Sequence, residues 1–134
     1  MKKENMIIGG VVVVLVLILG LYLFLEPKKE KVNVYLFWGD GCGFCASAKE
    51  FFNNGNSENS KYYNLVTYEV WYDEEGREMM EKVADKLDVE VNGIPFIVIG
   101  DKHFSGYSSG MNDRLNEAII SCYESQDCID VMEE

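Results

Sequence analysis

Residues 32–52, VNVYLFWGDGCGFCASAKEFF, place two cysteines between an apolar segment and a helix-like segment. The apolar segment is mostly β-branched and aromatic and is followed by a glycine, which predicts a buried strand. A helix is predicted from Cys42 or Gly43 to Phe52, where the polar residues NNGN would end it. Cys42 and Cys45 are therefore expected at the start of a helix that directly follows a strand.

This location predicts redox chemistry for the cysteine pair. The first turn of a helix carries unsatisfied N–H groups and the positive end of the helix dipole, and both favour a thiolate at Cys42. Cys42 is thus the predicted nucleophile. Cys45, one turn later, is close enough to attack a mixed disulfide and release the product. The dipeptide between the two cysteines is Gly43-Phe44.

The remaining soluble sequence predicts three more strands and two more helices. They are a strand at 65–72, a helix capped by Asp73 with apolar positions from Met79 to Leu87, a strand at 96–99 headed by Pro95, a return strand at 102–108 after a Gly100-Asp101 turn, and a helix at 111–123. Strands that alternate with helices imply a right-handed parallel unit, and the hairpin adds antiparallel strands. The predicted fold class is an α/β sandwich with a mixed sheet of about four strands flanked by helices.

Three short motifs make this sequence resemble the thioredoxin superfamily. They are FWGDGCGFC at 37–45, GIPF at 93–96 and FSG at 104–106. The similarity extends over 32–128, and the chain as a whole resembles a small membrane-anchored bacterial thioredoxin-like thiol–disulfide oxidoreductase. A single Cys-x-x-Cys is a weak signal, but the strand order and the distant Ile-Pro make the combination specific.

The resemblance implies roles for three residues beyond the cysteines. Pro95 would be the cis proline that stacks against the cysteine pair, a bond geometry that X–Pro permits. The backbone of Ile94 would pair with an extended substrate segment. Gly106 would be the small residue that leaves room for the substrate to approach.

The sequence also departs from the family pattern near the cysteines. Many members carry tryptophan where this chain has Gly41, and an acidic residue where it has Leu36. That acidic group is thought to take a proton from the second cysteine, so a relay would have to come from water or from another residue such as Glu69. The competing interpretation places Glu69 on the surface, because carboxylates are rarely buried unpaired.

The N-terminal part of the chain predicts a membrane anchor. Residues 6–25 contain no charge, and a helix of this length spans about 30 Å, the thickness of the hydrocarbon core. A cleaved signal peptide would be shorter and would end in small residues, whereas LYLFLEPKK is found here. The predicted division is a tail at 1–5, a transmembrane signal-anchor helix at 6–25, a charged linker at 26–31 and a thioredoxin-like domain at 32–134.

Charge and cysteine usage bear on location and partners. Residues 32–134 contain 20 acidic and seven basic residues, a net charge of −13 that disfavours nucleic acid. Lysines flank the helix on both sides, so the positive-inside rule does not orient it. All four cysteines lie beyond the helix, which favours an oxidising compartment. We therefore predict a single-pass cell-membrane protein whose C-terminal domain is extracytoplasmic.

The second cysteine pair, Cys122 and Cys128, allows three interpretations. A structural disulfide that holds the tail is favoured by the predicted compartment. A second exchanging pair that relays electrons to Cys42 and Cys45, or two free buried thiols, are the alternatives. The sequence itself does not choose among them.

These features predict a membrane-tethered enzyme that reduces, forms or reshuffles disulfides in extracytoplasmic proteins. Its partners would be protein thiols or disulfides and a membrane partner that recycles the cysteine pair; no cofactor and no metal are predicted. A non-catalytic binding module is one alternative. A thiolate metal site is another, although five residues separate Cys122 from Cys128 and structural zinc sites favour two to four. The direction of electron flow stays open, because small differences in potential decide it.

Overall fold

The computed structural model describes residues 2–133, and its secondary structure follows the predicted order. The elements are α1 Lys2–Phe24, β1 Val32–Trp38, α2 Gly43–Glu50, β2 Tyr63–Glu69, α3 Glu74–Leu87, β3 Phe96–Ile99, β4 Lys102–Ser105 and α4 Asn112–Ser125. Asp73 is the N-cap of α3, as predicted, and its carboxylate accepts a hydrogen bond from the Glu75 amide. Shorter helical turns are found at Phe51–Gly55, Ser60–Tyr62 and Ser109–Met111.

The four strands form one mixed sheet in the order β2-β1-β3-β4. β1 is parallel to β2 and antiparallel to β3, and β3 is antiparallel to β4. Ile99 pairs with Lys102, so Gly100 and Asp101 make the predicted two-residue turn, with φ +60° at the glycine. The predicted thioredoxin-like α/β fold class is confirmed.

Both central strands are covered on both faces, because their apolar residues point alternately to two layers of helices. On one face, Val34 and Ile97 pack with residues of α2 and α4. On the other face, Phe37 and Val98 pack with α3 and with Val131 of the C-terminal tail. This burial accounts for the continuous apolar runs of β1 and β3.

Three predicted boundaries differ from the structure for local reasons. β2 ends at Glu69 rather than at residue 72, because the Glu69 side chain gathers the next backbone amides into a turn. α2 ends at Glu50 and continues as a π-helical turn that carries two buried aromatic rings, Phe51 and Phe52. β4 ends before Gly106, whose φ of +78° turns the chain out of the sheet.

α1 is the one helix within residues 2–133 that is long and apolar enough to cross a membrane, judged by its length and composition. None of its described side chains is buried against the domain. The linker predicted at 26–31 contains no helix or strand before β1 begins. An exposed apolar helix is what a bilayer, rather than a protein core, would cover.

The C-terminal tail is hydrogen-bonded to β1 of the sheet. The Asp130 carboxylate accepts hydrogen bonds from Asn33 Nδ2 at 2.7 Å and from the Tyr35 hydroxyl at 2.6 Å. Burial and the hydrogen bond to Asp130 raise the pKa of Tyr35, so that this hydroxyl remains a donor. Lys86 Nζ donates to the Val131 carbonyl at 2.9 Å. The tail therefore closes one face of the domain.

Candidate active site

Cys42 and Cys45 lie where β1 passes into α2. Cys42 is the N-cap of α2, with an extended backbone, and its Sγ accepts a hydrogen bond from the Cys45 amide at 3.2 Å. The two cysteines are joined in a disulfide, with their Cα atoms 5.2 Å apart. Cys45 is fully buried and Cys42 is half-buried. Of the two cysteines, Cys42 is therefore the one that is partly open to solvent.

A tryptophan from another part of the chain covers the loop that precedes Cys42. The Trp71 ring lies over Gly39, so close that an added Cβ there would overlap the Cδ2 atom of the ring and would lie 2.6 Å from Cγ and Cε3. Gly41 has φ +95°, which an L side chain rarely adopts, and the Cys42 amide donates to the Gly39 carbonyl at 3.1 Å. The loop is thus a tight turn that needs glycine at both positions.

Sequence reasoning placed Trp71 inside a strand and missed this contact. The residue lies two positions after the end of β2 and is half-exposed beside the cysteine loop. The chain has Gly41 where many members of the resembled family have tryptophan before the first cysteine, and the ring of Trp71, from the segment after the neighbouring strand β2, lies against Gly39 of this loop. The one signal in the sequence is the pair of glycines that flank Asp40.

The Glu69 side chain connects the cysteine loop to the turn that follows β2. Its carboxylate accepts hydrogen bonds from four backbone amides, those of Asp40 (3.2 Å), Trp71 (2.9 Å), Tyr72 (2.8 Å) and Asp73 (2.8 Å). Desolvation acts to raise the pKa of Glu69, but the four amides outweigh it and hold that pKa below its ordinary value. The Glu69 carboxylate is therefore fully hydrogen-bonded and links β2 to the cysteine loop. It is not placed to act as the base that accepts a proton from Cys45.

Replacing Glu69 with glutamine should weaken the domain at neutral pH. The amide keeps the shape of the side chain but can no longer receive four N–H donors, so the urea midpoint should fall. Since the folded-state pKa is depressed, the carboxylate contributes stability above its ordinary value of 4.5, and this contribution is lost as pH falls through the folded-state pKa. The difference between the two proteins should thus narrow below about pH 4.5. A pH-independent difference would contradict this role.

Pro95 lies at the same end of the sheet as the cysteines. The register pairs Phe37 with Phe96, which sets Pro95 beside the end of β1. The Ile94–Pro95 peptide bond is cis, and the Pro95 carbonyl accepts a hydrogen bond from the Gly106 amide at 2.8 Å.

The other two residues that the resemblance singled out are near Pro95. Ile94 is half-buried and lines a groove of about 340 Å³ together with Trp71 and Arg77. An added Cβ at Gly106 would meet nothing within 4 Å, so open space lies in front of this residue. The structure thus brings Ile94, Pro95 and Gly106 together, next to the loop that Trp71 covers.

Three exposed aromatic side chains lie at this end of the domain. In the described part of residues 32–134, four large apolar residues are exposed: Phe44 (70%), Trp71 (48%), Tyr72 (80%) and Ile129 (71%). The first three, here called the aromatic rim, lie in or beside the segments that carry the cysteine pair.

The second cysteine pair is also oxidised. Cys122 and Cys128 form a disulfide with their Cα atoms 5.3 Å apart. Both cysteines lie against Gly100, in the turn that follows β3. This is the opposite end of the sheet from Cys42, since β1 and β3 are antiparallel. A direct relay between the two pairs would have to cross the length of β1, about 20 Å.

Within residues 2–133, no group of three or more His, Cys, Asp or Glu side chains is arranged to hold a metal ion. Leu36 is fully buried, so β1 places no carboxylate beneath the cysteine pair. The lone histidine, His103, is exposed on β4.

Comparison with known proteins identifies relatives of this domain. The family model described as Glutaredoxin matches residues 34–104, which is more than half of the chain. A glutaredoxin from Archaeoglobus fulgidus is 23% identical, with a TM-score of 0.45 over 66% of this chain and 86% of that one. A buckwheat glutaredoxin in complex with glutathione is 18% identical, with a TM-score of 0.47 over 74% and 83%. No curated protein matches the chain.

Proposed function

The chain belongs to the glutaredoxin family, and from that premise we propose that it is a membrane-tethered thiol–disulfide oxidoreductase acting through Cys42 and Cys45. The observation that carries the proposal is the disulfide at the N-terminus of α2, with one sulfur accessible and the other buried. Family membership also confirms the resemblance to the thioredoxin superfamily.

The geometry supports a two-step exchange. In the reduced protein, the Cys42 thiolate attacks a client disulfide, forms a mixed disulfide, and releases one client sulfur as a thiolate. The Cys45 thiolate then attacks the Cys42 sulfur, forms the Cys42–Cys45 bond seen here, and releases the second client thiolate. Two electrons pass from the domain to the client, and the reverse sequence oxidises a client dithiol. The Cys45 amide and the other free amides of the first turn stabilise the Cys42 thiolate.

The proposed clients are proteins, and the aromatic rim is the feature that favours them. A protein segment that reaches the Cys42 sulfur can also cover exposed rings in the neighbouring segments, whereas a small disulfide touches little beyond the sulfur itself. Ile94, at the mouth of the neighbouring groove, offers backbone groups to an extended segment. Protein thiols, protein disulfides and glutathione are all within the chemistry of the family.

Truncation of the aromatic rim should separate protein clients from small ones. Phe44→Ala and Trp71→Ala should each lower kcat/KM for a protein disulfide by roughly 5–30-fold, the range expected when an aromatic contact of about 1–2 kcal/mol is lost. Reduction of a small dialkyl disulfide should change less than the protein reaction. Ile129→Ala is the matched control, because Ile129 is equally exposed at the other end of the domain. Equal losses for both substrates would argue against a client surface.

The proposed location is the outer side of the cell membrane, with α1 as the anchor. The apolar surface of α1 and the two disulfides beyond it support this placement. In intact cells, a membrane-impermeant maleimide should label Cys42 in a Cys45→Ser variant of the full chain. Labelling only after lysis would place the domain in the cytosol instead.

The function is tested by measuring protein-disulfide reduction and the Cys42–Cys45 potential on the full chain in detergent. The potential follows from equilibration in glutathione buffers, with alkylation and mass analysis to separate the two cysteine pairs. A value near those of cytosolic reductants would make the domain an electron donor, and a distinctly higher value would make it an oxidant or isomerase. If the protein exchanged with no dithiol or disulfide, the alternative of a non-catalytic binding module would be favoured.

A further inference from the structure

The disulfide between Cys122 and Cys128 closes a short loop at the end of α4. We call residues 122–128 the Cys122–Cys128 loop. Gln126 lies inside it with φ +54°, and its side-chain amide also donates to the Tyr123 carbonyl at 2.6 Å. The disulfide therefore holds Gln126 and its neighbours in one arrangement, at the end of the sheet far from Cys42.

This loop contacts the linker that leads from α1 to β1. The Glu30 amide donates to Gln126 Oε1 at 2.9 Å, and Gln126 Nε2 donates to the Glu30 carbonyl at 3.1 Å. Lys29 Nζ forms an ion pair with Glu124 at 2.8 Å and lies 5.6 Å from the centre of the Tyr123 ring. One exposed ion pair stabilises little. The reciprocal amide pair adds two further bonds and fixes the linker against the loop at consecutive residues.

Because of the topology of the sheet, this contact sets which end of the domain lies near α1. The linker enters β1 at Val32, beside the Cys122–Cys128 loop, while Cys42 follows Trp38 at the far end of the same strand. Seven strand residues separate the two ends by about 20 Å. Only four residues lie between the end of α1 and Lys29. One of these, Pro27, has a restricted backbone.

We propose that the Cys122–Cys128 loop is a clasp that holds the juxtamembrane linker and turns the Cys42–Cys45 site away from the membrane. The partners that fit such a site carry their cysteines on extramembrane domains, not at the lipid headgroups. This holds for clients and for the protein that recycles the pair. The inference rests on the proposed membrane anchoring, and it gives the second disulfide a structural role that exchange at Cys42 does not require.

The orientation can be measured on the full chain in phosphatidylcholine vesicles. A donor fluorophore is attached to Cys42 in a Cys45→Ser variant, where Cys122 and Cys128 remain bonded, and acceptor lipids report its height. We expect weak energy transfer and a narrow lifetime distribution. A donor on a Lys28→Cys variant that lacks Cys42 and Cys45 marks the membrane-proximal end and should show much stronger transfer.

The clasp is tested by a substitution that keeps the backbone of the loop. Gln126→Gly tolerates the left-handed conformation but removes both hydrogen bonds to Glu30. It should broaden the lifetime distribution towards stronger transfer, as should the double variant Cys122→Ser/Cys128→Ser. The control is Lys82→Ala, an exposed lysine on α3, which should leave the lifetimes unchanged.

A second readout addresses the partner. The full chain should exchange rapidly with a peptide disulfide that is anchored to the vesicle by a long spacer, and slowly with the same disulfide placed at the headgroups. In Gln126→Gly, the ratio of these two exchange rates should be smaller. Strong energy transfer from Cys42, or equal rates for the two peptides, would overturn the orientation. If Gln126→Gly changed neither the lifetime distribution nor the ratio of exchange rates, the proposed clasp would be wrong. A chain that fails to float with the vesicles would instead refute the proposed anchoring.

Discussion

Replacement of Cys42 by serine is expected to reduce disulfide exchange to the uncatalysed rate. A hydroxyl at the N-terminus of α2 is not ionised near neutral pH, so no nucleophile remains in the accessible position. Cys45→Ser should behave differently. Its Cys42 can still attack a client, but no second sulfur resolves the mixed disulfide, so covalent adducts accumulate. Non-reducing electrophoresis and mass analysis of the full chain with a protein disulfide distinguish these two outcomes.

The second cysteine pair supplies the control for this experiment. Cys122→Ser/Cys128→Ser removes a disulfide at the opposite end of the sheet, and exchange with soluble clients should continue. Loss of turnover in this variant while the fold is retained would revive a relay between the two pairs. Full activity in Cys42→Ser would show that the nucleophile is assigned wrongly, and trapping by Cys42→Ser rather than by Cys45→Ser would exchange the roles of the two cysteines.

Local patterns were sufficient to predict most of the fold. β1 and β3 can be recognised in the sequence as continuous apolar runs, such as residues 96–99, because both strands are buried on both faces. The N-cap at Asp73 and the turn at Gly100-Asp101 depend on a few neighbouring residues, and both were predicted correctly. The placement of Cys42 at the start of α2 follows from the same kind of local information.

Contacts between distant segments could not be predicted from those patterns. Glu69 and Asp40 are 29 residues apart, and the hydrogen bond between them joins the end of β2 to the cysteine loop. The contact between Glu30 and Gln126 spans 96 residues. Periodicity and propensity describe near neighbours in the chain, so neither shows which loop a side chain will reach. The surroundings of Cys42 depend on such contacts more than the strands do.

Replacement of Gly76 by alanine is expected to destabilise the domain more than any other single methyl group added to a glycine outside the cysteine loop. Gly76 lies in the first turn of α3, against the end of β2. An added Cβ would overlap the Glu69 carbonyl oxygen and would lie 2.9 Å from the carbonyl carbon. Since backbone cannot rotate away as a side chain can, the helix or the strand end must shift.

The sign of the effect follows from comparing two magnitudes. Glycine to alanine within a helix gains about 1 kcal/mol of helix propensity. Overpacking costs about 1–3 kcal/mol, and the upper end applies here because the obstructing atoms are backbone. The net loss should therefore be about 2 kcal/mol. A shift at Glu69 also disturbs the carboxylate that holds Asp40, so exchange at Cys42 should slow as well.

Thermal and urea unfolding of the full chain in detergent check this expectation. Gly93→Ala is the matched control, because an added Cβ there meets nothing within 4 Å and its backbone does not require glycine. Its stability should stay within about 0.5 kcal/mol of the parent protein. If Gly76→Ala were as stable as Gly93→Ala, α3 could not be packed against the end of β2 as closely as the structure has it. The support that Glu69 gives to the cysteine loop would then need another explanation.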